Sequence, residues 1–342
     1  MKRRILALIC AFLIVISSAS CAGSRANAVL HGKDSVYAIA YSDAAYKIGI
    51  KSPQGFVYDV QNGFIVFTKG ENKVVYPGST SKLMTALFAL SVLPAEKVIE
   101  AGDELDFVKP GSSIAYVKKG HKLTVEMLVE GMLLPSGNDA AYVLAAAVGR
   151  EIKGGEASAE EALEAFISGV NAYAKQIGLC GTYLTVPDGY ADEAHYTTTE
   201  DMLLAAKAAM ENPVISKYAA LYTANVVYAS GETNVWTSTN KLLDPNSKYY
   251  SRYATGLKTG SISGEYSLLF TFRFDDGREY IAGVFGADAR NDRFEDAKRN
   301  LMFTSTQSTL RCDVVLFVER SGELMYAARL STKGAEPKGN RG

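Results

Sequence analysis

Histidine is scarce in this chain of 342 residues, which contains only three. His31 lies in the N-terminal segment, His121 follows a polar Lys-Lys-Gly turn, and His195 lies in a polar loop. The Gly-x-Ser-x-Gly turn that carries the nucleophile of histidine-dependent α/β-hydrolases does not surround the serine singled out below. The sequence therefore argues against hydrolysis by a serine–histidine pair.

Cysteine is scarce too, with four residues in the chain. Cys10 and Cys21 lie in or beside an N-terminal apolar run, which leaves Cys180 and Cys312 for the rest of the chain. Two isolated cysteines provide neither a disulfide framework nor the spacing of a metal site. We therefore expect no metal and no other cofactor.

Charge of one sign is not in excess, since the formal net charge is -1. Such a chain has no general attraction to nucleic acid or to an anionic membrane surface, so recognition of an anion must come from local cations. With 48% hydrophobic and 21% charged residues, the composition is that of an ordinary globular protein. We expect one large domain with additional short segments and no nucleic-acid partner.

The apolar run at the N-terminus is short. Three basic residues, Lys2, Arg3 and Arg4, precede a run of twelve apolar residues from Ile5 to Ile16. This pattern is typical of a secretory signal peptide, whereas a membrane-spanning helix needs about 20 apolar residues. The sequence predicts a signal peptide over residues 1–28 and hence an exported protein, located in the cell wall, in the periplasm or at the outer face of the cytoplasmic membrane.

Two features of the sequence concern attachment to the membrane, one near each end of the chain. Cys21 is an alternative lipid-acceptor site, but serine stands at position 18, where a lipoprotein cleavage box normally has leucine. The polar C-terminal tail has no long apolar face, so no C-terminal membrane helix is predicted.

Strand patterns occur at both ends of the central region, and helix patterns lie between them. Asn62-Gly63 joins two apolar strands at 56–58 and 64–67, and Asn-Gly is a strong hairpin signal. A buried helix is predicted to start at Ser79, because Pro77-Gly78 breaks the chain and an apolar run follows. Further helices are predicted from 123 and over 139–148, 157–177, 199–210 and 295–302, with later strands over 266–273 and 278–285.

This order predicts an α+β fold in which the ends of the domain meet in one mainly antiparallel sheet, flanked by helices and with an inserted helical region. Within it, residues 29–51 form an N-terminal lead-in and residues 52–305 a catalytic domain. Residues 306–342 form a short C-terminal extension, in which two strand-like runs about Ser321-Gly322 indicate a hairpin or the remnant of a second domain, followed by a polar tail.

Three short blocks supply an acyl-transfer site that needs no histidine: Ser-x-x-Lys at Ser79 and Lys82, Ser136-Gly137-Asn138, and Lys258-Thr259-Gly260. Residues three apart share a helix face, so Lys82 can take the proton of the Ser79 hydroxyl. A lysine acts as a base only if its charged form is disfavoured, and burial together with the charge of Lys258 would disfavour it. Gly260 and the nearby Gly256 suggest that backbone passes close to something bulky, which a bound substrate would explain.

A second Ser-x-x-Lys occurs at Ser238 and Lys241. Ser238 lies among polar residues with no apolar run before it, and too little chain separates it from Lys258 to build a separate wall of a cleft. We therefore expect Ser79, and not Ser238, to be the nucleophile.

The three blocks and their flanks resemble serine-type D-alanyl-D-alanine carboxypeptidases, the low-molecular-mass penicillin-binding proteins of the peptidase S11 type. The resemblance spans roughly residues 52 to 305 and includes Pro-Gly before Ser79, Leu-Leu-Pro before Ser136 and Gly-Leu before Lys258. It implies the β-lactamase/transpeptidase-like fold and a peptidoglycan pentapeptide as substrate. β-Lactam antibiotics are the further ligands that it implies.

The resemblance also implies a role for each residue. Ser79 is the nucleophile and Lys82 the general base, Ser136 relays a proton to the leaving amine, and Asn138 holds the substrate amide. Lys258 and the Thr259 hydroxyl bind the terminal carboxylate, and Gly260 is the third residue of this substrate-binding block. The backbone N–H groups of Ser79 and Ser261 form the oxyanion hole. Gly78, where the family usually has alanine, is a departure from the pattern.

Two other functions use the same residues. A serine β-lactamase has the same blocks, but glycine at 137 and its flanks favour the carboxypeptidase, and no Glu-x-x-x-Asn segment resembling the class A deacylation loop follows Ser136. A catalytically silent wall-binding or β-lactam-sensing protein would retain the fold without releasing D-alanine. The intact blocks argue against this second alternative.

Overall fold

Strands predominate at both ends of the described part of the chain, and six of its seven α-helices lie between residues 82 and 219. This computed structural model describes residues 48–70, 73–190 and 193–305, together with the backbone of strands at 28–29, 35–42, 312–320 and 323–331. The strands are β1 (Ala28–Val29), β2 (Ser35–Ser42), β3 (Gln54–Asp59), β4 (Phe64–Lys69), β5 (Val74–Val75), β6 (Val98–Glu100), β7 (Lys122–Thr124), β8 (Thr197–Thr198), β9 (Thr223–Val227), β10 (Thr233–Thr237), β11 (Ala254–Ile262), β12 (Glu265–Arg273), β13 (Glu279–Ala287), β14 (Cys312–Arg320) and β15 (Glu323–Ser331). The helices are α1 (Lys82–Val92), α2 (Val125–Leu133), α3 (Asn138–Lys153), α4 (Ala159–Gln176), α5 (Thr199–Glu211), α6 (Pro213–Ala219) and α7 (Asp292–Ser305).

One sheet of nine strands dominates the fold, in the order β11-β12-β13-β3-β4-β2-β14-β15, with β1 paired to β2. Its neighbouring strands run antiparallel, except that β2 and β4 run parallel. The predicted α+β fold with a mainly antiparallel sheet is confirmed. Strands from the two ends of the chain meet in it, because β13 pairs with β3.

The predicted hairpin is present as β3 and β4. The Asp59 side chain accepts hydrogen bonds from the backbone N (2.8 Å) and Nδ2 (3.0 Å) of Asn62, which fixes the turn. Gly63 follows with a φ of 70°, a conformation that costs glycine little. The Asn-Gly pair thus ends a four-residue connection between the strands.

Along β12 both faces of the sheet are buried, since successive side chains of a strand point to opposite faces and those in the middle of this strand are all buried. On β12, Leu269 packs into the large core that the helices share, while Leu268 and Phe270 pack into a second core. Phe294 and Ala297 of α7 belong to that second core. The sheet therefore lies between the helical region and α7.

The helical region between β4 and β11 follows the predicted pattern, although α3 extends beyond the predicted 139–148, α4 is shorter than the predicted 157–177, and α6 was not predicted. Thr124 begins α2, where its hydroxyl accepts from the backbone N of Met127, and Ser158 and Glu161 form a capping box that begins α4. At Ser79 the structure differs from the prediction. A 3-10 turn, Gly78–Ser81, comes first, and the α-helix starts at Lys82.

The terminal segments add strands at the far side of the sheet. β14 pairs with both β15 and β2, so the two strand-like runs after the last helix extend the main sheet.

Except for Ala28, the predicted signal peptide lies outside the described residues, as does the polar tail. The limits of the domains stay a prediction. In the part of the chain that the structure describes, none of the helices has the length and apolar character to cross a bilayer.

Candidate active site

The first block places a serine and a lysine in contact. Ser79 lies in the 3-10 turn and Lys82 is the first residue of α1, and Lys82 Nζ donates a hydrogen bond to Ser79 Oγ at 2.8 Å. Ser79 is partly exposed to solvent, whereas Lys82 is completely buried. The predicted contact between nucleophile and base is therefore geometrically possible in the folded chain.

Lys82 has two further hydrogen-bond acceptors. Its Nζ donates to Asn138 Oδ1 and to the backbone O of Asp188, both at 2.7 Å. Burial lowers the pKa of Lys82 to about 8, although the Asp188 and Asp139 carboxylates oppose the shift. The sequence predicted that burial and the charge of Lys258 would act together here. Burial is the dominant cause in the structure, and the repulsion between the lysines instead helps to lower the pKa of Lys258.

The second block lies in the predicted connection between helices, after α2 and at the start of α3. Ser136 has a φ of 64°, a left-handed conformation that is uncommon outside glycine and that frequently marks functional sites. The backbone N of Gly137 donates to Gly131 O at 2.9 Å and fixes this turn. Ser136 Oγ accepts a hydrogen bond from Lys258 Nζ at 2.8 Å, so the second and third blocks meet.

The side-chain amide of Asn138 has a defined orientation. Its Oδ1 accepts from Lys82, and its Nδ2 donates to Ser112 Oγ at 2.9 Å. Nδ2 carries two hydrogens, so one donor remains for a ligand. Ser112 belongs to a segment that crosses the start of α3, where Asn138 N donates to Ser113 O at 2.8 Å.

The third block lies on β11, the edge strand of the main sheet. Lys258 is buried, and burial, followed by repulsion from Lys82 and Arg293, lowers its pKa well below the usual value. The Thr259 hydroxyl lies 2.6 Å from that of Thr239. A Cβ on Gly260 would lie 2.4 Å from Pro77 O. The close neighbour of this glycine is thus the backbone before Ser79, and not a substrate as the sequence suggested.

The backbone amide of Ser261 lies beside the 3-10 turn Gly78–Ser81 that carries Ser79. A Cβ on Gly78 would lie 3.0 Å from Ser261 N, which brings this amide next to the residue before Ser79. Arg293 donates from its Nη1 to Gly260 O (2.7 Å) and to Ser261 Oγ (3.2 Å) and so fixes the end of β11. The two amides expected to form the oxyanion hole therefore belong to adjoining segments.

The three blocks line one cleft of about 590 Å³. Ser79, Ser136, Asn138, Thr259 and Ser261 all contribute to its walls. Among the described residues there is no group of three or more His, Cys, Asp or Glu side chains that could hold a metal ion.

The second Ser-x-x-Lys does not form a serine–lysine pair. Lys241 Nζ donates to Asn291 Oδ1 at 3.1 Å, and Ser238 Oγ accepts from Asn240 N at 3.2 Å. Ser238, Thr239 and Lys241 nevertheless line the cleft. The segment lines the cleft beside the third block, because the Thr239 hydroxyl contacts that of Thr259.

Four residues that shape the site were not assigned from the sequence: Ser112, Asp139, Asp188 and Arg293. Asp139 is buried and accepts from the backbone N of Ala115 and Val117 at 2.8 and 2.9 Å, which holds the segment that carries Ser112. A carboxylate at the start of an alanine-rich apolar helix was a readable signal for Asp139. Asp188 acts through its backbone carbonyl, which no residue pattern identifies.

Comparison with known proteins agrees with this geometry. The sequence profile of the Peptidase S11 family, described as D-alanyl-D-alanine carboxypeptidase, matches residues 42–289, which is more than half of the chain. The chain is 31% identical over 266 residues to a D-alanyl-D-alanine carboxypeptidase of Streptomyces sp. (strain K15), covering 75% of this chain and 88% of that one.

A second relative is longer than this chain. D-alanyl-D-alanine carboxypeptidase DacF of Bacillus subtilis (strain 168) is 29% identical over 251 residues, which cover 72% of this chain and 60% of DacF. Among solved structures, the crystal structure of the Streptomyces K15 DD-transpeptidase matches with a TM-score of 0.67 at 29% identity, over 75% of this chain and 98% of that one. The resemblance inferred from the three blocks is confirmed, and this chain belongs to the peptidase S11 family of D-alanyl-D-alanine carboxypeptidases.

Proposed function

We propose that the protein is an exported serine D-alanyl-D-alanine carboxypeptidase, which removes the terminal D-alanine of peptidoglycan stem peptides through an acyl-enzyme on Ser79. Penicillin would acylate the same serine. The observation that carries the proposal is the set of three contacts of Lys82 Nζ, to Ser79 Oγ, Asn138 Oδ1 and Asp188 O. The family membership and the names of the relatives support the choice of substrate.

These contacts favour transfer of a proton from Ser79 Oγ to Lys82 Nζ. A neutral amine has two hydrogens and one lone pair, while the carbonyl oxygens of Asn138 and Asp188 can only accept. When both accept from Lys82, the lone pair faces Ser79, whose hydroxyl can donate to it. Ser79 Oγ then attacks the carbonyl carbon between the two D-alanines as its proton moves to Lys82 Nζ.

The acyl-enzyme forms when the peptide C–N bond breaks and the leaving amine of D-alanine gains a proton. In our proposal Ser136 Oγ, which contacts Lys258 Nζ at 2.8 Å and lines the same cleft as Ser79, relays this proton. It gives its own hydrogen to the amine and regains one from the Lys82 ammonium, so Lys82 returns to its neutral form and can accept a proton from the attacking water and pass it to Ser79 Oγ. Water afterwards attacks the ester, which regenerates the Ser79 hydroxyl and releases the shortened peptide. The backbone N–H groups of Ser79 and Ser261 would stabilise the oxyanion in both steps.

Recognition of the C-terminal end of a stem peptide would depend on charge. The terminal carboxylate of the substrate favours the ammonium form of Lys258, which burial otherwise disfavours. The Thr259 hydroxyl, which also lines the cleft, offers a hydrogen bond to the same carboxylate. Asn138 would hold the preceding amide of the peptide through the hydrogen of Nδ2 that Ser112 does not use.

The direct test is covalent labelling with radiolabelled penicillin followed by peptide mapping. The label should be found on Ser79, and Ser79→Ala should abolish it. Ser238→Ala, the matched control in the second Ser-x-x-Lys, should be labelled like the unchanged protein. Label that persists in Ser79→Ala would overturn the proposal, and rapid turnover of nitrocefin would point to a β-lactamase.

The relatives also make transpeptidation a candidate activity, because the Streptomyces K15 structure carries the name DD-transpeptidase. In that reaction an amine replaces water as the acceptor of the acyl group. Product analysis on defined muropeptides, with and without an added amine acceptor, distinguishes the two outcomes. Export is proposed from the N-terminal pattern, and detection of the protein outside the cytoplasm in cell fractionation tests it.

A further inference from the structure

A short segment, residues 183–188, connects the outside of the helical region to the catalytic lysine. At its start Tyr183 is paired with Tyr196 through two backbone hydrogen bonds of 2.9 and 3.0 Å. Thr185 N donates to His195 Nδ1 at 3.1 Å. The backbone of this segment is therefore fixed by hydrogen bonds, although it belongs to no long strand or helix.

Asn171 of α4 makes the main side-chain attachment of the segment 183–188. Its Nδ2 donates to Leu184 O and its Oδ1 accepts from Leu184 N, both at 2.8 Å, so both backbone polar groups of Leu184 are paired with one side chain. Nδ2 also donates to Ile167 O at 2.9 Å within α4. Asn171 is 8% exposed, and replacing it would leave the backbone groups of Leu184 unpaired in a buried position.

The other end of the segment reaches the base. Thr85 Oγ1 of α1 donates to Pro187 O at 2.6 Å, and Lys82 Nζ donates to Asp188 O at 2.7 Å. Thr85 lies one turn after Lys82 on the same helix, so α1 binds two successive carbonyls of the segment. The position of Asp188 O relative to Lys82 thus depends on what holds the segment 183–188.

We propose that Asn171 is a positioning residue for the general base, acting through the segment 183–188 to hold the Asp188 carbonyl against Lys82 Nζ. The inference rests on the proposed function, because it takes Lys82 as the base. Asn171 touches neither the reacting atoms nor the cleft, whose walls it does not line. Its effect on the reaction passes through Leu184 and the four residues that follow.

The proposal predicts a specific change in the titration of Lys82. Its ammonium form donates to three acceptors and its neutral form to two, so loss of Asp188 O weakens the ammonium form more and lowers the pKa of Lys82 further. The charged groups that act on the pKa of Lys82 are the Asp188 and Asp139 carboxylates, and Lys258 is the neighbouring lysine whose own pKa Lys82 lowers. Simple loosening of the structure would admit water and move the pKa of Lys82 upward, toward the ordinary value of about 10.4.

Three variants of the full chain separate these outcomes. Asn171→Ala removes the attachment to Leu184, and Thr85→Val removes the bond to Pro187 O while keeping the shape of the side chain. Ser168→Ala is the control, since Ser168 is exposed on the same helix. For each, the rate of Ser79 acylation by benzylpenicillin is measured against pH, and the protonation of Lys82 is followed by NMR of 13C-labelled lysine.

Asn171→Ala and Thr85→Val should each slow acylation on the order of 10- to 100-fold, as expected when a catalytic group is misplaced by about 1 Å. Their Lys82 titration midpoint should move to lower pH, while Ser168→Ala should match the unchanged protein. If Asn171→Ala fails to fold, Asn171→Asp replaces it, since it keeps the shape of the side chain and loses the donor to Leu184 O. Unchanged acylation in a folded variant, or a midpoint that moves to higher pH, would overturn the inference. Absence of labelling in the unchanged protein would instead reject the proposed function.

Discussion

Nζ of Lys258 lies 2.8 Å from the hydroxyl oxygen of Ser136, across a separation of 122 residues in the sequence. The contact joins the edge strand of the sheet to the turn between α2 and α3. The proposed carboxylate anchor and the proposed proton relay are thereby held together, so changes to Lys258 should affect both binding and the chemical step.

Lys258→Ala should therefore reduce acylation by penicillin by a factor of about 100 or more, comparable to the loss of one oxyanion-hole donor. Both the affinity for a ligand with a terminal carboxylate and the rate constant of acylation should fall. Stopped-flow acylation kinetics separate the two. Lys241→Ala changes a lysine that lines the same cleft but contacts Asn291, and it should retain most of the activity.

The rate of acylation should rise with pH through about 8, because only the neutral form of Lys82 can accept the Ser79 proton and burial lowers the pKa of Lys82 to about 8. One pH unit below that value, the rate should be about a tenth of its plateau. Acylation rates measured at constant ionic strength, with circular dichroism to confirm folding, check this. A midpoint near 10 would show that the base is not a buried lysine.

The free energy of unfolding should depend on pH through the same lysine, Lys82. Above pH 8 the folded chain has lost the Lys82 proton while the unfolded chain retains it up to about pH 10.4, so the unfolded state binds more protons and the free energy of unfolding rises with pH. Between pH 8 and 10, that rise should exceed the rise in Lys82→Met by up to about 1.4 kcal/mol per pH unit. Urea unfolding at several pH values measures it, and parallel curves for the two proteins would contradict the burial of this charge.

Gly189→Ala should disturb the 3-10 turn Gly78–Ser81, which carries Ser79. Gly189 has a φ of 79°, and a Cβ there would lie 2.1 Å from Gly78 O, next to Ser79. We expect a loss of several kcal/mol in stability, and slow acylation where the variant folds. Gly277→Ala is the matched control, with a φ of 86° and no atom within 4 Å of the added Cβ, and it should show only the smaller cost of backbone strain.

Asp139→Asn should lower the free energy of unfolding by about 1–3 kcal/mol, because one acceptor oxygen is replaced by a donor that faces the backbone N–H groups of Ala115 and Val117. Acylation should slow as well, since the segment from Ser112 to Val117 orients the amide of Asn138. Thermal unfolding and acylation rates measure both effects. The control is Asp103→Asn, since Asp103 is exposed. It should leave the free energy of unfolding within about 0.5 kcal/mol of the unchanged protein and the acylation rate unchanged.

The sequence predicted the hairpin, the central helices and the contact of Ser79 with Lys82, because each depends on local patterns. Hydrophobic spacing, turn residues and a three-residue separation are visible within a few positions. The parts that it missed depend on the backbone of distant segments. The carbonyl of Asp188 and the amide neighbour of Gly78 have no side-chain signature, and Thr239 reaches the cleft only because it contacts Thr259 on β11.

The order of strands in the main sheet has a practical consequence. β11 borders the cleft at one edge, whereas β15, formed near the C-terminus, lies at the opposite edge with the other strands between them. A reporter protein or an immobilisation tag fused after the last strand would therefore be attached on the side away from the cleft. An assay of penicillin binding on a solid support would use such a fusion without blocking access to Ser79.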